Sequence, residues 1–123
     1  MNKYKTEIWG RSFNLSVLFD CYKGETVTKK QEEAFSRFVD KAGLIDNALP
    51  SVKRYCIEDE NTRGISQIDN IFKYVMPKAI FVKRTKLMRV VALMCDYKYD
   101  REHGIALLFE NEKFKEIVNQ CAL

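Results

Sequence analysis

The stretch DYKYDREHG, Asp96 to Gly104, gathers two aspartates, a glutamate and the chain's one histidine, and then turns apolar at Ile105. Carboxylates beside an imidazole are the raw material of general acid–base chemistry, with His103 as base and Asp100 or Glu102 as its orienting acid. Such a site also needs a nucleophile or a bound water held by convergent partners. The sequence has no G-x-S-x-G elbow, no cysteine in a catalytic context and no second histidine. The same carboxylates could hold a hard cation. As a calcium loop the run fails: Lys98 takes a ligand position, Arg101 stands where a glycine should make the sharp turn, and no closing glutamate follows. A polar connection between two strands, with Gly104 permitting the turn, explains these residues more simply. The expectation is therefore no catalytic residue, no metal and no enzyme, with His103 and Gly104 as a structural signature.

Other chemistry finds no foothold. Glycines 10, 24, 43, 64 and 104 are isolated, so there is no phosphate-binding or dinucleotide fingerprint, and no cofactor is expected. Cys21, Cys56, Cys95 and Cys121 form no C-x-x-C pair. Each sits in an apolar pattern, which predicts reduced, buried thiols rather than a zinc site or a disulfide framework.

The elements that must position DYKYDREHG can be read from hydrophobic period. A strand TEIW pairs with the alternating SFNLSVLFDCY through a turn at Gly10 and Arg11. Thr28 and Gln31 form a capping box that opens a helix with Ala34, Phe35, Phe38, Val39 and Ala42 on one face, and Gly43 ends it. A second helix is expected from about Ile45 to Glu58, with Pro50 in its first turn. Ser66 and Asp69 mark a third, carrying Ile68, Ile71, Phe72 and Val75 as its stripe and stopped by Pro77. Then the period returns to two. KAIFVKR and KLMRVVALMCDYKY read as strands joined near Arg84 to Lys86, and GIALLFE and EKFKEIV as a hairpin around Glu110 to Glu112. The predicted fold is α+β: an antiparallel sheet of about five to six strands with two to three helices packed on one face. A chain of 123 residues with 46% hydrophobic and 31% charged residues and no linker makes residues 1–123 a single domain.

Composition also limits the partners. No apolar run approaches the roughly 18–20 residues of a membrane span, and the N-terminus carries no export signal, so a cytoplasmic protein without membrane association is expected. The net charge of +4 is spread out; its densest run, Lys83 to Lys86, reads as a hairpin turn, which disfavours nucleic acid. A binding role instead points to acid and aromatic groups. The candidates are Asp96, Tyr97, Tyr99, Asp100 and Glu102 in the first stretch, and Glu58, Asp59 and Glu60 in EDEN, with Tyr4 and Trp9 as further aromatic anchors.

The C-terminal half resembles an uncharacterised bacterial domain family that combines a proline-led strand, a strand ending in D-x-x-[WY]-D-x-E-H-G and a final hairpin. MPKAIFV supplies the first; Asp96, Tyr99, Asp100, Glu102, His103 and Gly104 match the second. VTKKQEEAF looks like that family's helix opening, and Asn119 stands where a glycine is expected. Such families are similar to immunity proteins of polymorphic-toxin and contact-dependent inhibition systems. The resemblance implies a small cytoplasmic protein that neutralises a cognate toxin domain by direct contact. Two alternatives remain open: a small enzyme or ligand-binding domain using His103 with the nearby carboxylates, and a nucleic-acid module using Lys83, Arg84 and Lys86.

Overall fold

A computed structural model describes residues 3–123. Six strands form one sheet in the spatial order of the sequence: β1 (Lys3–Ile8), β2 (Arg11–Phe19), β3 (Val75–Val82), β4 (Val90–Tyr97), β5 (Asp100–Glu110) and β6 (Lys113–Asn119). Helices α1 (Lys29–Asp40) and α2 (Leu49–Glu58) fall between β2 and β3. Among the described residues no helix is long and apolar enough to cross a membrane.

The helices explain the first departure from expectation. The sheet is mixed, not antiparallel, because β2 and β3 run parallel, Ser16 opposite Ala79 and Phe19 opposite Val82. A chain that leaves β2 through two helices returns to the end where β2 began, and a crossover of that kind delivers a parallel strand. The other neighbours are antiparallel hairpins. Gln31 ties the crossover down. The predicted capping box forms, with the Gln31 amide nitrogen accepting no bond but donating to the carbonyls of Asp20 (3.0 Å) and Val82 (3.2 Å), while its oxygen accepts the Thr28 N–H. One buried side chain thus joins the start of α1 to the ends of both parallel strands.

The third helix does not form. Ile68 and Ile71 are buried as predicted, but from an irregular segment that ends in a 3-10 turn at Ile71–Lys73. Val75 already belongs to β3, and Pro77 lies within that strand instead of stopping a helix. A register shift between Pro77 and Ala79 accommodates the proline, which has no N–H for the ladder. The first hairpin turns at Trp9 and Gly10, one residue earlier than expected, both with positive φ.

Both helices cover one face. Ala34 and Phe38 of α1 and Val52 and Cys56 of α2 join Leu15, Ile80, Leu93, Leu107 and Phe109 in the core. Phe109 packs edge-on to Phe38 and Phe114, and Tyr55 of α2 packs on Tyr97. Cys56 and Cys95 are buried thiols, as expected of all four; Cys21 is only partly covered and Cys121 is exposed, because both lie beyond strand ends.

Candidate functional site

DYKYDREHG is the tip and base of the β4–β5 hairpin. Tyr97 pairs with Asp100 across Lys98 and Tyr99, and regular pairing resumes only at Cys95 and Ile105. Between those pairs Asp96 alone faces the four residues from Arg101 to Gly104, a wide bulge that needs its own hydrogen bonds. Asp100 provides them: its Oδ1 accepts the His103 N–H at 3.1 Å and its Oδ2 accepts the Asn119 amide at 2.6 Å. Gln120 closes the other side by donating to the carbonyls of Cys95 and Ile105, each at 3.0 Å. Gly104 turns the chain with φ +71°.

His103 lies over this bulge with Nδ1 3.2 Å from Asp100 and Nε2 4.0 Å from Glu102. Both Asp100 oxygens are already engaged in holding the bulge and β6. The His103 backbone amide holds the Asp100 carboxyl below its ordinary range, and the Asn119 amide adds to this. The geometry is that of a bulge lock. Among the described residues no group of three His, Cys, Asp or Glu side chains is placed to hold a metal ion.

The aromatic candidates divide. Tyr97 is 3% exposed, so it is no surface anchor; its ring sits between Tyr55 and Tyr99 and its hydroxyl donates to Asp59 Oδ2 at 2.7 Å. Trp9 is also occupied, with its indole N–H donating to the Ile45 carbonyl at 3.1 Å and Tyr4 packed edge-on to Phe35. Tyr99 remains partly exposed beside Tyr74, with the Lys98 ammonium 5.2 Å from the Tyr74 ring centroid and 5.6 Å from that of Tyr99. Asp96 is exposed and lies 3.5 Å from Lys78, and Glu102 is exposed. Asp96 borders a separate hollow with Lys73, Lys98 and Arg101, so the acid of this stretch does not form one patch.

Acid does collect at the end of α2. Glu58, Asp59 and Glu60 line a groove of about 530 Å³ with Glu116 of β6; Tyr55, Phe114 and Ile117 contribute apolar lining, and Arg54 is the one basic residue there. The Asp59–Tyr97 bond anchors this groove to the hairpin base. Burial pushes the Asp59 carboxyl up, but hydrogen bonds from the Asn61 amide, the Tyr97 hydroxyl and the Asn61 side chain outweigh it and leave the group below its ordinary value. Burial raises the Tyr55 hydroxyl, and the charges of Asp59 and Asp100 raise it further. Burial also drives Cys56 up to about 11, so this thiol stays protonated and inert near neutral pH. The sequence marked Glu58 to Glu60 but missed Tyr55, Phe114, Glu116 and Ile117, which are brought in by the fold. Phe114 and Ile117 stand three positions apart in β6 and reach one face only through a register shift opposite Leu108 and Phe109, so no alternating pattern marked them.

The basic turn is partly spent. Arg84 donates to the Thr26 carbonyl at 2.9 Å and lies 3.4 Å from Glu25, and the Lys30 ammonium bonds the Lys86 carbonyl.

A helix layer over one face of a mixed six-stranded sheet, with an acidic groove at its margin, defines a two-layer α+β domain. The chain belongs to the family described as a domain of unknown function (DUF6985), which matches residues 2–121. No curated protein matches the chain, and no solved structure does.

The shifted carboxyls predict acid sensitivity. Asp59, Asp100 and Glu112 all lie below their ordinary values, Glu112 because Arg89 bonds it at 2.8 and 2.9 Å. Groups with a depressed folded pKa contribute stability that is fully present above the unfolded carboxylate value, roughly 4, and lost as pH falls through the folded value. The melting temperature is expected to be flat from pH 7 to 5 and to fall below pH 4. Glu112→Gln should lower it at pH 7 and flatten that acid limb; an unchanged limb would remove Arg89–Glu112 from the account.

Proposed function

We propose that this protein is an immunity-type binding protein that neutralises a cognate bacterial toxin domain by direct contact, acting in the cytoplasm. One observation carries the reading: the groove between α2 and β6 combines four carboxylates with the partly exposed side chains of Tyr55, Phe114 and Ile117. Aromatic and aliphatic floor with a charged rim is the make-up of a protein-binding surface. Its local charge is negative although the whole chain carries +4, which suits a basic patch on the toxin and steers its approach. Glu58 and Glu60 are the rim contacts, Tyr55 and Phe114 the floor. Asp59 is shared, because it also holds Tyr97. Of the DYKYDREHG residues, Tyr99, Asp96 and Glu102 retain exposed surface for the partner at the adjoining hairpin, whereas Asp100, His103 and Gly104 serve the bulge.

The test is calorimetric titration of the protein with the toxin domain encoded beside it, together with protection of cells that express that toxin. A one-to-one complex is expected. Glu58→Lys combined with Glu60→Lys should weaken it at least about tenfold, roughly 1.4 kcal/mol, while His103→Ala leaves protection intact. A complex indifferent to the double reversal would move the contact off the groove. Failure of the unaltered protein both to bind and to protect would sink the reading.

A further inference from the structure

Exposed apolar side chains gather at one end of the sheet. Among the described residues the large hydrophobic ones left in the open are Leu18, Tyr22, Leu87 and Met88, with Tyr22 77% and Leu87 90% exposed. Phe19 pairs with Val82, so the segment that follows β2 and the turn that follows β3 leave from the same end, one residue beyond Leu18. Arg84 joins the two segments by bonding the Asp20 carboxylate through its backbone N–H and the Thr26 carbonyl through its guanidinium, and the Lys30 ammonium reaches the Lys86 carbonyl. The Thr85 hydroxyl donates to the Met88 carbonyl, which sets Lys86 and Leu87 at the crown of the turn. The same end concentrates charge. Residues 20–30 and 83–89 carry seven basic side chains and two acidic ones. Both acids are engaged: Asp20 accepts the Arg84 N–H at 3.4 Å, and Glu25 accepts the Tyr22 N–H at 2.9 Å and lies 3.4 Å from the Arg84 guanidinium. On the neighbouring β5–β6 turn, Glu112 is held by Arg89 and Glu110 by Lys115. Among the described residues Lys23, Lys29, Lys83 and Lys86 make no ion pair, and Glu32 in the first turn of α1 is too little acid to balance them.

We propose that this end of the molecule docks on an anionic phospholipid surface, with Leu87 and Met88 entering the headgroup boundary and Lys23, Lys29, Lys83 and Lys86 lying against the lipid phosphates. Apolar groups that penetrate a few ångströms and lysines that stay at headgroup level are the two halves of interfacial binding, and each is weak without the other. Contact of this kind needs no spanning segment. A side chain at the crown of a turn suits a soft partner, because a fluid interface closes around it and no matching socket has to exist. Single-stranded nucleic acid would use the same charge but would stack its bases on aromatic rings, and of the four exposed side chains only Tyr22 is aromatic. The fold, not the sequence, makes the site: Lys23 and Lys29 lie more than 50 positions from Lys83 and meet it only because β2 and β3 run parallel. Asp59 ties the acidic groove to Tyr97, at the opposite end of β4 from the turn that carries Leu87. Docking therefore leaves that groove open, and it does not depend on the toxin-binding reading.

Co-sedimentation of the full chain with vesicles tests this. The chain is expected to bind vesicles of equal parts phosphatidylcholine and phosphatidylglycerol, to leave them as salt is raised, and to ignore vesicles of phosphatidylcholine alone. Leu87→Ser combined with Met88→Ser keeps every charge and should weaken binding at least about tenfold. Lys23→Glu with Lys86→Glu should do the same, whereas Lys73→Glu with Arg101→Glu, an equal change of net charge at the other end of the sheet, should stay within about twofold. All six positions are exposed, and an unchanged far-UV circular dichroism spectrum checks each fold. Failure to bind the mixed vesicles overturns the proposal, whether or not the chain takes up a single-stranded oligonucleotide offered in their place. So does a serine variant that binds as well as the unaltered chain, or two charge reversals with equal effects, since either would mean adsorption by net charge alone.

Discussion

Gly104→Ala is expected to destabilise the domain by roughly 3–5 kcal/mol, combining the strain of a side chain at positive φ with the loss of packed polar contacts. The backbone there has φ +71°, which an L side chain rarely adopts. The added Cβ would also run into the Cys95 carbonyl and lie 2.8 Å from the Gln120 amide nitrogen. Gln120 cannot simply step aside, since that amide satisfies both Cys95 and Ile105. Displacing it takes the side-chain bond away from two strand carbonyls in the part-buried base of the bulge. In thermal unfolding the change should lower the midpoint by about 10 °C or more for a domain of this size. Gln120→Ala, which loses the amide but keeps the backbone relaxed, should cost less than half as much. If Gly104→Ala melted within about 2 °C of the unaltered protein, the bulge would not be the lock described.

Phe109→Ala is expected to cost about 3–5 kcal/mol, the range for deleting a buried aromatic ring. Phe109 is 1% exposed and stands in β5 between Phe38 of α1, at a 5.1 Å centroid distance, and Phe114 of β6, at 5.7 Å. Removing it empties the place where α1 meets the sheet and also loosens the apolar wall of the groove. Urea titration should show a lower midpoint with little change in slope. Phe109→Leu, which keeps most of the volume, should recover more than half of the loss. Equal losses for the two variants would mean that aromatic geometry, not cavity volume, sets the cost.

Legibility followed the range of the interactions. The capping box at Thr28 and Gln31 and the turn at Asn111 and Glu112 are local, and they form where the residues suggest. Even so, the pattern could not show that Gln31 is buried and reaches the Val82 carbonyl, 51 residues further along the chain, while also holding that of Asp20. Ile68, Ile71 and Val75 mimic a helical stripe because burial alone, from a loop and a strand start, can produce the same spacing. DYKYDREHG looked like chemistry because its carboxylates and histidine are close in sequence. Their partners, Asn119 and Gln120, lie in the chain's last residues and carry no motif.

By itself the sequence determined the α+β class, the approximate places of all six strands and of both long helices, and the reading of DYKYDREHG as a connection between two strands. Periodicity, caps and turn residues act over a few positions, and so they can be read along the chain. Only the tertiary structure decided that β2 and β3 run parallel, that Tyr97 turns inward while Glu58 and Glu60 meet Glu116, and that one sheet face stays uncovered. Those outcomes depend on which distant segments share a face of the sheet, and that is set by how the whole core closes, not by any local run of residues.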